Sequence, residues 1–177
     1  MKKKVTRAAI SSPVSKDTVC PVARALSIVG DRWTVLVLRE LTMGNRRFEE
    51  IQAQTGATPQ MLAARLKSLE SDRLVERRPY STRPLRHDYY LTAAGLAFYP
   101  VLLALRSWGE TWLKSEKEGR AIQYTHIPCG QDPGLGPVCQ SCGAEMRQDQ
   151  LVPRFSEAFA KERDARKAAF KAARAQS

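Results

Sequence analysis

Between Asp31 and Thr92 the chain carries three helix signals in quick succession and then a short basic segment of strand character, an order few architectures accommodate. Asp31 is a helix N-cap ahead of Trp33, Leu36, Val37 and Leu41, which follow one-face helical spacing. Gly44 closes that helix. Arg46 and Arg47 lead into a second, short helix buried through Phe48 and Ile51 and ended by Gly56 at a left-handed cap position. Thr58-Pro59 then sets an N-cap residue before a proline at the first helical position. It opens a third helix whose Leu62, Leu66 and Leu69 form an i, i+4, i+7 stripe.

In the segment that follows, Leu74 and Val75, then Tyr89 and Leu91, bracket two short strands. Pro79, Ser81 and Pro84 predict a tip that is turn-like and poor at ladder pairing. Arg77, Arg78, Arg83 and Arg86, with Tyr80 among them, make this hairpin basic. Three helices and a basic hairpin, with a tight glycine-containing turn before the third helix, give a mainly α fold with a small β-wing, the winged helix-turn-helix. In a chain of formal net charge +11 that unit points to double-stranded DNA. With the leucine face buried, Thr58, Pro59, Gln60, Met61, Ala64 and Arg65 lie at or near the outer surface and N-terminal end of the third helix, where a recognition helix meets base edges. Arg65 suits a bidentate guanine contact and Gln60 an adenine contact. Arg46, Arg47, Arg77, Tyr80, Arg83 and Arg86 complete the candidate DNA-binding set, the hairpin tip being suited to phosphates or the minor groove. The competing readings are an ordinary solvated helix face and a loop kept soluble by charge.

Several motifs together carry a family resemblance: Cys20-Pro21-Val22-Ala23-Arg24, Gly30-Asp31-Arg32-Trp33, Arg47-Phe48, the run Leu62 to Glu70, Leu74-Val75-Glu76-Arg77, and Tyr90-Leu91-Thr92-Ala93-Ala94-Gly95. Over residues 18 to 115 the chain resembles the HxlR family, bacterial winged helix-turn-helix transcription regulators related to MarR. The resemblance implies a homodimer that binds an operator with inverted-repeat half-sites.

At 177 residues, 43% of them hydrophobic, the chain suits one main domain and an appendage. The excess of 29 basic over 18 acidic residues favours nucleic acid. The longest apolar run, Leu96 to Leu105, is too short to span a bilayer. Residues 1–17 read as a disordered basic arm rather than a signal peptide, because Arg7, Ser11, Ser12 and Pro13 interrupt any apolar core. Four cysteines, wrongly distributed for a disulfide framework, fit a cytoplasmic, reducing setting. Within 18–118, Pro21 to Val29 forms a helix with Val22, Ala25, Leu26 and Val29 on one face. Another begins after the cap Thr92 and is ended or kinked by Pro100. Beyond it Val101, Leu102, Leu103, Leu105, Trp108 and Trp112 surround much of a helix and need cover on more than one side. A second subunit supplies it in a symmetric dimer; the alternative is a helix folded back onto its own domain.

Residues 119–150 hold His126-x2-Cys129, a nine-residue spacer, then Cys139-x2-Cys142, with Gly130 and Gly143 following each pair. Two chelating pairs give the four tetrahedral N/S ligands of a closed, structural zinc site. A Cys139–Cys142 redox pair and an empty knuckle are the competitors. Residues 151–177 read as a basic helix starting after Pro153, docked through Phe155 and Phe159, with an alanine-rich, solvated, fraying remainder. Cys20, immediately before a helix that starts with proline, feels the positive end of the helix dipole, which favours thiolate. Some HxlR-like regulators use a cysteine in this position to sense oxidants or electrophiles, so the resemblance implies a redox-sensing role; an inert cap is the alternative. No phosphate loop, nucleophile elbow or paired carboxylates argue for an enzyme, and Glu40 reads as solvated. A small-molecule effector has no polar constellation pointing to it. The other functional class is a protein-interaction module with the winged helix as scaffold and the knuckle as partner surface.

Overall fold

The computed structural model describes residues 18–176, so the arm at 1–17 lies outside the described residues. Four helices open the chain: α1 (Pro21–Val29), α2 (Arg32–Thr42), α3 (Phe48–Thr55) and α4 (Pro59–Ser71). Their ends are set by local chemistry. Asp31 Oδ1 accepts from the amides of Trp33 and Thr34 at 2.9 and 3.1 Å, and Thr58 Oγ1 accepts from Met61 at 3.2 Å. Gly56 ends α3 at φ 71, a left-handed conformation that costs a residue with a Cβ. Leu62, Leu66 and Leu69 of α4 meet Val37, Leu38 and Leu41 of α2 and Ile51 of α3 in the first core.

Strands β1 (Val75–Thr82) and β2 (Leu85–Leu91) form the antiparallel wing. They are longer than the prolines suggested. Pairing runs through Pro79, opposite His87, and a bulge between Pro79 and Ser81 absorbs the missing donor, so only Arg83-Pro84, joined by a cis peptide, forms the tip. Thr92 caps α5 (Ala93–Leu96), accepting from Gly95 at 3.2 Å, and α6 (Tyr99–Trp112) restarts with Pro100 in its first turn.

The remainder is a second layer. Strands β3 (Ile122–His126) and β4 (Leu151–Phe155) pair antiparallel, with the cysteine loops between them, and α7 (Glu157–Ala175) follows. The helix expected after Pro153 therefore starts at Glu157; Pro153 is a strand residue opposite Tyr124, tolerable in a two-stranded ladder that has only edges. Tyr99, Leu103, Cys139, Met146 and Leu151 make a second core, against which Leu102 packs from the first.

Two expectations about charge are corrected. Glu40 is not solvated but fully buried, accepting from both Nη atoms of Arg163 at 3.0 and 2.7 Å and from Arg39 at 2.6 Å. Nor is α7 a fraying appendage: beyond Arg163, Arg166 donates to the Gln54 carbonyl at 2.7 Å and Arg174 lies 3.7 Å from Glu49. Because Gln54 is near the end of α3 and Glu49 near its start, α7 runs antiparallel along α3.

Candidate functional site

The start of α4 is open. Thr58, Pro59, Gln60 and Ala64 are exposed, whereas Met61 is half-buried against the first core. Arg65 is not free: its Nε lies 3.2 Å from Asp31 Oδ2, the carboxylate that caps α2. Burial alone raises the Asp31 pKa, but the hydroxyl and amide of Thr34, Arg65 and the Trp33 amide outweigh it and hold the carboxyl below its ordinary value. Arg65 Nε is buried and lies within ion-pair distance of Asp31 without a hydrogen-bond partner among the described residues, while the side chain as a whole is 41% exposed.

The hairpin is sewn to the start of α3. The Tyr89 amide donates to the Arg46 carbonyl at 2.9 Å, and Glu50 accepts from the amides of Arg46 and Arg47 at 3.2 and 3.1 Å. Arg46 and Arg78 both stack on Tyr90, with guanidinium carbons 4.2 and 4.5 Å from the ring centre. Arg47 stacks on Tyr80 at 4.9 Å and reaches Asp88 at 3.9 Å, while Arg77 pairs with Glu70 at 3.0 Å. Such stacking fixes long side chains against rigid rings. Arg83 and Arg86, at the tip, are exposed and have no ion-pair partner among the described residues. Sequence reasoning thus found the basic residues but missed the aromatic seats and the Asp31 brace, whose partner is remote in the chain.

The second constellation is His126, Cys129, Cys139 and Cys142, whose ligand atoms all lie within 4.8 Å of one another and could hold a metal ion. Nδ1 of His126 is 3.3 Å from Cys129 Sγ and 3.4 Å from Cys142 Sγ, and the sulfurs of Cys129 and Cys139 are 3.9 Å apart. A tetrahedron with zinc-like bonds has edges of about 3.5–3.8 Å, so these spacings fit. Matching turns build both halves. Gly130 donates to the His126 carbonyl and Gly143 to the Cys139 carbonyl, each at 2.8 Å, with both glycines at positive φ. Burial raises the Cys139 thiol pKa, and amides of Cys142 and Ser141 more than offset this, so the thiol lies below its ordinary value. His126 is fully buried, and its Nε2 has no hydrogen-bond partner among the described residues.

Cys20 is exposed at the N-cap of α1. Beside it, Val19, Val22 and Leu26 are exposed, as are Val101, Leu105, Trp108, Trp112 and Leu113 on and after α6. Among the described residues no helix is long and apolar enough to cross a membrane.

The pattern of the HxlR-like helix-turn-helix family matches residues 28–117. The uncharacterized HTH-type transcriptional regulator Mb3122 of Mycobacterium bovis (strain ATCC BAA-935 / AF2122/97) is 39% identical over 140 residues, 78% of this chain and 87% of its own. The HTH-type transcriptional regulator YodB of Bacillus subtilis (strain 168) is 36% identical over 96 residues, 53% of this chain and 86% of its own. The crystal structure of PA1607, described as a candidate transcription factor, superposes with a TM-score of 0.61 at 31% identity, covering 80% of this chain and 97% of that one. A match over 78% of the chain must run past residue 117 wherever it begins, so the mycobacterial likeness takes in part of the second layer. The family pattern, the mycobacterial relative and the shared winged helix agree, and the chain belongs to the HxlR-like helix-turn-helix family of DNA-binding transcriptional regulators.

Proposed function

We propose that the protein is a homodimeric regulator, most simply a repressor, that reads an inverted-repeat operator. The observation that carries this reading is the start of α4, where Thr58, Pro59, Gln60 and Ala64 are exposed beside an arginine paired with the part-buried carboxylate of Asp31. The ion pair with Asp31 restrains the Arg65 side chain, reducing what binding must order, and its guanidinium suits O6 and N7 of guanine. Gln60 reads an adenine beside it. Met61, half-buried, contributes packing and at most its end to the groove. Arg83 and Arg86 hold the backbone or minor groove at the wing tip, and Arg46, Arg47, Arg77 and Tyr80 line the sides.

The exposed apolar residues of α1 and α6 support the dimer. So many large apolar side chains rarely stay open to water, and a two-fold interface covers them on both subunits at once. The three sulfurs and one imidazole are a donor set for zinc, and with four ligands the site is structural and closed.

Replacing Arg65 by alanine should lower discrimination between operator and mismatched duplex by about 1–3 kcal/mol, measured by competition binding. Unchanged discrimination would leave Arg65 only as the ion-pair partner of Asp31. The exposed Cys20 is the responsive thiol in this reading, next to the helix that forms the dimer. Cys20→Ser should bind the operator as the parent does yet resist release by diamide or a quinone; equal release of both proteins would remove Cys20 from the mechanism.

A further inference from the structure

The charges of α7 are sorted along its length. Its acidic residues, Glu157, Glu162 and Asp164, all fall in the first half, and every charged residue after Asp164 (Arg166, Lys167, Lys171 and Arg174) is basic. The helix is also fixed in direction. Arg163 enters the first core to meet Glu40, the Gln54 side chain donates to the Arg163 carbonyl at 2.9 Å, and Arg174 reaches Glu49 at 3.7 Å. The basic half is thereby delivered to the beginning of α3, where Arg46 and Arg47 emerge and the wing is sewn on. In a helix-turn-helix the first helix, here α3, crosses the DNA backbone. Lys167 and Lys171 are four residues apart on one face, exposed, and without an ion-pair or hydrogen-bond partner among the described residues. Arg174 counters Glu49, an acidic group that would otherwise repel phosphate there.

We infer that the C-terminal half of α7 is a second phosphate-contacting surface, which extends the reading head along the backbone of the duplex through Lys167 and Lys171. The inference rests on the proposed reading of duplex DNA, and residues 28–117 that carry the family pattern do not include α7. The contact is to backbone, so it adds affinity without adding sequence choice.

The test is the salt dependence of binding by the full chain, to the duplex upstream of its own gene and to a scrambled duplex. Changing Lys167→Gln and Lys171→Gln together should reduce the log–log slope by up to about 2 per protomer, at about 0.9 per lost phosphate contact. Affinity should fall by the same factor on both duplexes, leaving their ratio unchanged. Lys161→Glu changes net charge by the same amount but lies in the first half of α7, paired with Glu157; it should leave the slope near the parent's. Both sites are exposed, and equal thermal midpoints confirm equal folding. A double variant with the parent's slope, or a Lys161→Glu slope reduced as much, overturns the inference. Should the parent itself show no preference for the upstream duplex, operator reading fails, while the slope difference on either duplex still decides the role of α7.

Discussion

Glu40→Ala is expected to lower folding stability by about 3–5 kcal/mol, the range for removing one partner of a buried ion pair. The carboxylate has no exposure, and without it the Arg163 guanidinium, 9% exposed, is left inside the protein without its counter-charge. Arg39, whose side chain is 30% exposed, can turn to water, so the cost falls mainly on Arg163 and hence on the seating of α7. A double change, Glu40→Leu with Arg163→Leu, should recover most of the loss, since apolar residues of similar volume often match a buried pair. Urea midpoints of the three proteins decide this; a single variant within about 1 kcal/mol of the parent would mean that the pair adds nothing. The same carboxyl gives a pH signature. Burial pushes its pKa up, but the Arg163 hydrogen bonds and the charges of Arg39 and Arg163 prevail, holding it below the ordinary 4.5. A carboxyl lowered in the folded state stabilises fully above its unfolded pKa and progressively less as pH falls through the folded one. This contribution should therefore be constant from neutrality to about pH 5 and decline in more acid solution.

Cys139→Ser is expected to abolish stable metal binding and loosen the β3–β4 layer. The parent should carry one zinc per chain, consistent with the four ligand atoms within 4.8 Å. Loss of a direct ligand should weaken binding by more than the roughly 100-fold that loss of an outer-shell partner can cost. Met146 and Leu151, almost fully buried beside Cys139, should gain hydrogen exchange and protease sensitivity, while the separate core around Leu62 and Ile51 stays protected. Metal content after dialysis against a chelator, with exchange mapped along the chain, measures both. A parent that folds fully without metal, or a variant with the parent's zinc content, would contradict the structural zinc site.

What was legible in the sequence was local. Asp31, Thr58 and Thr92 cap helices because a side-chain oxygen meets an amide two or three residues on, and Gly56 sits where the backbone needs a positive φ. The leucines of α4 and the two ligand pairs are likewise spacing signals, readable within a few residues. Misread positions depend on partners far away. Glu40 looks like any solvated helix glutamate until Arg163, 123 positions later, is brought against it. The Asp31–Arg65 brace is invisible for the same reason, since one residue is fully explained as a cap and the other as a surface arginine. Pro153 carries no sign in the sequence of the strand it occupies, because its ladder partner Tyr124 lies 29 positions earlier and a two-stranded ladder offers proline an edge.

Operator reading is tested most directly by titrating salt against binding to the duplex upstream of the protein's own gene, with scrambled DNA as competitor. Tight binding with a preference of about 10³-fold or more, and a steep linear loss of log affinity with log salt, is the expected result. Equal, weak binding to both duplexes would mean only that a chain of net charge +11 is attracted to phosphate, and would contradict operator reading.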